Sequence, residues 1–140
     1  MRRRLIFAVI LSLAGAISGA AQGFEAEPVF TVQILPDREP VVAGEELRLA
    51  VVVEIETGWH INSNSPGDDF SLPTEVDFGL PEGWLDPIIS FPAAETIEFE
   101  FSDTPIQVWE HEIVILANLV VPDSATGDHR LRVTVPACVV

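Results

Sequence analysis

Cys138 is the only cysteine of the chain, and the residue best suited to covalent chemistry, because a thiolate attacks disulfides and carries mixed-disulfide intermediates. Its plain alternative is a small apolar residue that closes a core, the commonest fate of an unpaired cysteine. The other residues with chemical potential are less suggestive. His60, His111 and His129 lie far apart and lack the spacing of metal ligands,. His111 stands between Glu110 and Glu112, but in an extended strand it would point away from both,. Asp68 and Asp69 sit in an oxygen-rich run from Ser63 to Asp69 without the spaced acids of a calcium loop, so a turn with solvated carboxylates is expected,. There is no glycine-rich phosphate loop, C-x-x-C, H-E-x-x-H or G-x-S-x-G,. The expectation is a protein with no metal and no cofactor.

The compartment gives the lone thiol its interest. Arg2, Arg3 and Arg4 precede an apolar stretch over 5–17, and small residues follow at 18–21, which is the pattern of a cleavable export signal,. Cleavage after Ala20 or Ala21 is expected, making 1–21 a signal peptide and 22–140 a single domain delivered to the periplasm or secreted. The apolar stretch falls short of the ~20 residues of a membrane-spanning helix, so no stable membrane insertion is expected after cleavage. Removing the first 21 of 140 residues leaves 119, enough for one core and too few for two,. Three of the seven arginines leave with the signal and there is no lysine, so four arginines face 22 acids at a net charge of −18. That charge makes nucleic acid and anionic membrane surfaces poor partners, and no nucleic-acid partner is expected. A single cysteine also excludes an internal disulfide, so the core alone must hold the fold,.

The elements that would position Cys138 read as strands. In 46–56, Leu47, Leu49, Val51, Val53 and Ile55 share one face, while Arg48, Glu54 and Glu56 share the other,. Further strands are predicted over 30–35, 74–78, 88–91, 96–101, 108–121 and 129–135. Within 96–101, Ile97, Phe99 and Phe101 alternate with Glu98 and Glu100 as a strand with one wet face. Arg130 and Arg132 alternate with Leu131, Val133 and Val135 in the same way. No segment has a helical period. About seven short strands separated by proline and glycine turns predict an all-β fold, an antiparallel β-sandwich of immunoglobulin-like type.

A series of short motifs runs along this frame: Gly58-Trp59-His60-Ile61-Asn62, Asn64-Ser65-Pro66-Gly67-Asp68, Leu72-Pro73, Leu80-Pro81-Glu82-Gly83-Trp84, Phe91-Pro92, Val108-Trp109-Glu110-His111-Glu112, and Leu131 through Pro136 to Ala137-Cys138. In order and spacing it resembles the amino-terminal periplasmic domain of the thiol:disulfide interchange protein DsbD, and stand-alone secreted proteins built from that domain. The likeness runs from about Phe30 to Cys138. It implies an immunoglobulin-like sandwich whose redox site takes electrons from a membrane-embedded donor and passes them to thioredoxin-like periplasmic proteins. Ala137-Cys138 matches the first redox cysteine. Trp59 and His60 match positions near it, and the segment from about Phe99 to Trp109 matches a loop that caps it, which implies that Trp59, His60, Phe99, Phe101 and Trp109 shield the thiol. For the three tryptophans the alternative is packing, preferred outright for Trp84. The family pattern continues to a second cysteine and a closing strand that these 140 residues do not include. The expectation is therefore a relay domain cut off after its first redox cysteine and lacking its last strand. The competing reading is a non-catalytic secreted binding module with a structural cysteine.

Overall fold

The computed structural model describes residues 27–127 and 132–140. Among these residues the regular structure is entirely β, in nine strands joined by antiparallel pairing. β1 (Phe30–Pro36), β2 (Glu46–Ile55), β8 (Glu112–Val120) and β5 (Ile88–Ser90) form a four-stranded sheet in the order β1-β2-β8-β5. β3 (Ile61–Asn62), β7 (Ile106–Trp109) and β6 (Glu95–Ile97) form a second sheet in the order β3-β7-β6, and β4 (Asp77–Gly79) pairs with β9 (Arg132–Thr134).

The long central strands follow directly from alternation. Every second residue of β2 from Leu47 to Ile55 is buried, as is every second residue of β8 from Ile113 to Leu119. Their register sets Val51 opposite Ile115 and Val53 opposite Ile113, so the two rows form one continuous apolar face. Ile61 and Trp109 from the second sheet complete the main core, with Phe78 and Val133 of the β4-β9 pair packed against it. A second cluster of Leu47, Leu49, Ala117, Leu119 and Val121 continues the core, with Trp84 packed on it as a structural residue. Each fully buried aliphatic side chain contributes about 1.5–3 kcal/mol.

Two of the predicted strands are interrupted. The run 108–121 is two strands in different sheets, because His111 takes a left-handed backbone with φ of +62°. In one continuous strand His111 would share a face with Trp109 and Ile113 and enter the core; the turn instead sends its imidazole, 69% exposed, into solvent,. The run 96–101 ends as a strand at Ile97, whose register partner is Ile106. Residues 98–105 are thus a hairpin loop, tightened by the Ser102 amide donating to the Phe99 carbonyl at 3.1 Å. Of the predicted strand over 129–135, β9 retains Arg132 to Thr134, while His129, Arg130 and Leu131 lie outside the described residues. Residues 1–26, with the export signal and its cleavage site, also lie outside them. No helix among the described residues is long and apolar enough to cross a membrane.

Candidate functional site

The site is assembled on β3, a strand of only two residues that carries pairing on both sides. On one side Ile61 faces Trp109 and Asn62 faces Val108. On the other side the segment 138–140 docks antiparallel, with Ile61 opposite Val139. The Asn62 amide donates to the Cys138 carbonyl at 3.0 Å, and His60 and Val140 exchange amide hydrogen bonds of 3.1 and 2.9 Å. Directly opposed residues in such a pair project on the same face. Ile61, Trp109 and Val139 therefore point into the main core, where all three pack. Cys138 projects on the other face, beside Asn62 and in the row that includes His60 and Val140. Its thiol is free, and the residue is half-buried at the margin of the sheet.

Asn62 holds this corner together. It is 1% exposed, its side-chain amide donates to the Leu72 carbonyl at 2.9 Å, and its own carbonyl accepts from the Thr74 hydroxyl. The Thr74 amide returns to the Ser63 carbonyl at 3.0 Å, and the Gln107 amide reaches Pro66 at 2.8 Å. These bonds clamp the 63–74 loop over the face that carries Cys138. The Asn62 Oδ1 is buried with no hydrogen-bond partner among the described residues, and so is Trp109 Nε1 on the core side.

His60 ties the hairpin loop to the same corner. Its Nε2 lies 3.1 Å from Glu110 Oε2, and the second oxygen of Glu110 is 3.5 Å from His111 Nε2. The Phe99 and His60 rings meet in a T-shaped arrangement with centroids 5.9 Å apart and planes at 84°, and Phe99 stacks on Phe101 at 4.9 Å. Phe101 is 71% exposed, so it forms the outer skin of this aromatic step. Although Glu110 stands between two imidazoles, no group of three or more His, Cys, Asp or Glu among the described residues is arranged to hold a metal ion. His129 lies outside the described residues.

Of the five residues expected to shield the thiol, His60, Phe99 and Phe101 stand together in one contact chain. Trp59 is an exposed residue at the turn before His60, its amide bonded to the Glu56 carbonyl at 3.0 Å. Trp109 is a core residue, 2% exposed and stacked on Phe91 at 6.0 Å. Asn62 carries no distinctive signal in the sequence: a single asparagine inside an aromatic motif reads as exposed until its neighbours are known. Compared with known proteins, the chain matches no family model, no curated protein and no solved structure. The likeness to the DsbD domain rests on the motif series alone.

Across a cleft from Phe101, the 67–71 loop presents Asp68, Asp69 and Phe70, the last 93% exposed. The acidic run expected to be a turn is one. Asp68 Oδ1 accepts the amides of Ser71 and Phe70, and its Oδ2 accepts the Ser71 hydroxyl at 2.9 Å. The Ser71 amide is the main cause holding the Asp68 carboxyl below the usual carboxylate range, with the Ser71 hydroxyl and the Phe70 amide adding to it,. A depressed folded-state value stabilises the loop above the ordinary carboxylate range, and that support disappears as pH falls through the depressed value. Two outcomes are expected: carbon-detected titration gives Asp68 a midpoint below a model aspartate, and Asp68→Ala speeds hydrogen exchange at the Phe70 and Ser71 amides at neutral pH. An unshifted midpoint with unchanged exchange contradicts this assignment.

Proposed function

We propose that this chain is an exported thiol:disulfide exchange domain, an immunoglobulin-like sandwich of the DsbD amino-terminal type, with Cys138 as its nucleophile. The seat of the thiol carries the proposal. Cys138 is free and half-buried at a sheet margin, its backbone is bonded to β3, and the His60-Phe99-Phe101 chain stands on the same corner. A half-buried thiol at a sheet margin suits exchange with a docking partner, and in this reading the aromatic chain is what screens it from small oxidants.

In this reading the Cys138 thiolate attacks one sulfur of a disulfide in a thioredoxin-like partner. A mixed disulfide forms and the partner's other sulfur leaves as a thiolate. That thiolate can reverse the step, so net transfer of two electrons requires a further thiol from outside these 140 residues, which contain one cysteine. Reducing equivalents come from a membrane-embedded donor. The exposed Trp59, Phe70, Leu72 and Phe101 favour a second reading, a secreted binding module in which Cys138 only packs.

Thiol labelling separates the two. The folded protein is expected to take up one alkyl group per chain and Cys138→Ser none, with Phe101→Ala labelling faster than the parent. A thioredoxin-like protein lacking its resolving cysteine, activated as its thionitrobenzoate mixed disulfide, is expected to become covalently attached and release thionitrobenzoate. Labelling that occurs only after denaturation would leave the binding module as the function.

A further inference from the structure

The outer face of the four-stranded sheet carries a pattern with no partner among the described residues. Along β2 its outward residues are Glu46, Arg48, Ala50, Val52 and Glu54, and along β8 they are Val120, Asn118, Leu116, Val114 and Glu112, each opposite its counterpart. The centre is apolar, with Leu116 52%, Val114 40% and the neighbouring Leu35 of β1 45% exposed. Leu35, Ala50 and Leu116 also line a shallow depression beside Arg48.

Arg48 near one end and the Glu54-Glu112 pair at the other are opposite in charge but lie too far apart to meet within one chain, and Glu46 adds a carboxylate beyond Arg48. Glu54 and Glu112 face each other directly across the strand pair, an arrangement of like charges that destabilises a sheet,. Arg48 lies six residues up β2, about 20 Å away at strand rise. It makes no ion pair with any carboxylate of the described residues, in a chain with 22 acids. A copy turned by a two-fold axis lying across the strands, in the plane of the face, reverses the strand direction. It lays β2 on β2 and β8 on β8, and brings each Arg48 over the other copy's Glu54 and Glu112. The same operation stacks the apolar centre on itself, which is the self-complementarity a two-fold interface requires.

We propose that this face pairs two copies of the chain, with the apolar centre supplying the attraction and Arg48 against the Glu54-Glu112 pair setting the antiparallel orientation. The chain's net charge of −15 opposes self-association at long range, but that repulsion is screened beyond roughly 8–10 Å at physiological salt,. The apposed charges act at contact distance, where screening is weakest. Four strands at about 4.8 Å spacing and about 20 Å of length give a plan area of roughly 400 Å², small for a permanent interface. The dimer is therefore concentration-dependent.

Sedimentation velocity over a concentration series, on protein expressed from the full 140-residue sequence, tests this. The parent is expected to pass from monomer to dimer. Leu116→Glu, Arg48→Glu and the double variant Glu54→Arg with Glu112→Arg are each expected to weaken the dimer about tenfold or more, with unchanged far-UV circular dichroism. Mixing the Arg48→Glu chain with the Glu54→Arg, Glu112→Arg chain restores opposite charges at both ends and is expected to recover a dimer containing one of each. A parent that stays monomeric at its highest soluble concentration overturns the proposal, as does a mixture that fails to form the mixed dimer.

Discussion

Replacing Trp109 with alanine is expected to destabilise the domain by about 3–5 kcal/mol, the range for deleting a buried indole. Against a total stability of about 5–15 kcal/mol for a domain of this kind, that is a large share. Trp109 is 2% exposed, stacks on Phe91 and sits opposite Ile61, so the cavity would open where the two principal sheets meet. The ring nitrogen has no hydrogen-bond partner among the described residues, so the loss is one of packing and apolar contact. Trp109→Phe, which keeps most of the volume and removes the orphan donor, is expected to cost much less, about 1.5 kcal/mol or below. Urea titration followed by far-UV circular dichroism reads both values. An alanine variant with an unchanged midpoint and faster labelling of Cys138 would mean that Trp109 is a lid over the thiol and not part of the core.

Asn62→Asp is expected to cost about 3 kcal/mol or more at neutral pH, for a different reason. The exchange is nearly isosteric, so packing survives, but it puts a carboxylate at a position 1% exposed. It also replaces the amide that donates to the Leu72 carbonyl. No cation among the described residues pairs with Asn62, and an unpaired buried charge is among the most costly changes a core can receive. The pH dependence has a definite sign. Burial favours the protonated carboxyl in the folded state, so the folded variant binds more protons than the unfolded one and its stability rises as pH falls. Unfolding curves at neutral and mildly acidic pH should converge towards the parent on the acid side. A variant as stable as the parent at neutral pH would show that water reaches Asn62 and that it does not anchor the corner holding Cys138.

The two predictions fall on adjacent residues of one short pairing, and they differ in how visible those residues were. Trp109 stood out in the sequence as a large aromatic at the head of an apolar run, yet the sequence could not decide between core and cap, since both bury an indole. Asn62 was invisible as an anchor because its role comes from Leu72, Thr74 and Cys138, partners 10, 12 and 76 positions away. The interruption at His111 was hidden for a related reason. Alternation alone continued from Trp109 to Val121, and only the need to keep an imidazole out of the core, met by a left-handed residue, divides it. In the same way, Phe99 and Phe101 looked like one face of a strand because they are two residues apart. The pairing of Ile97 with Ile106 turns them into neighbours in a loop, where their rings stack.

The amino-acid sequence by itself determined the all-β class, the inner row of β2 and the acidic turn at Asp68, because each follows from side-chain alternation or from hydrogen bonds within a few residues. Which strands share a sheet, where a long apolar run changes sheets, and which residues gather around Cys138 were decided only by the tertiary structure. Those features depend on contacts between segments tens of residues apart, which exist only once the chain has closed on itself.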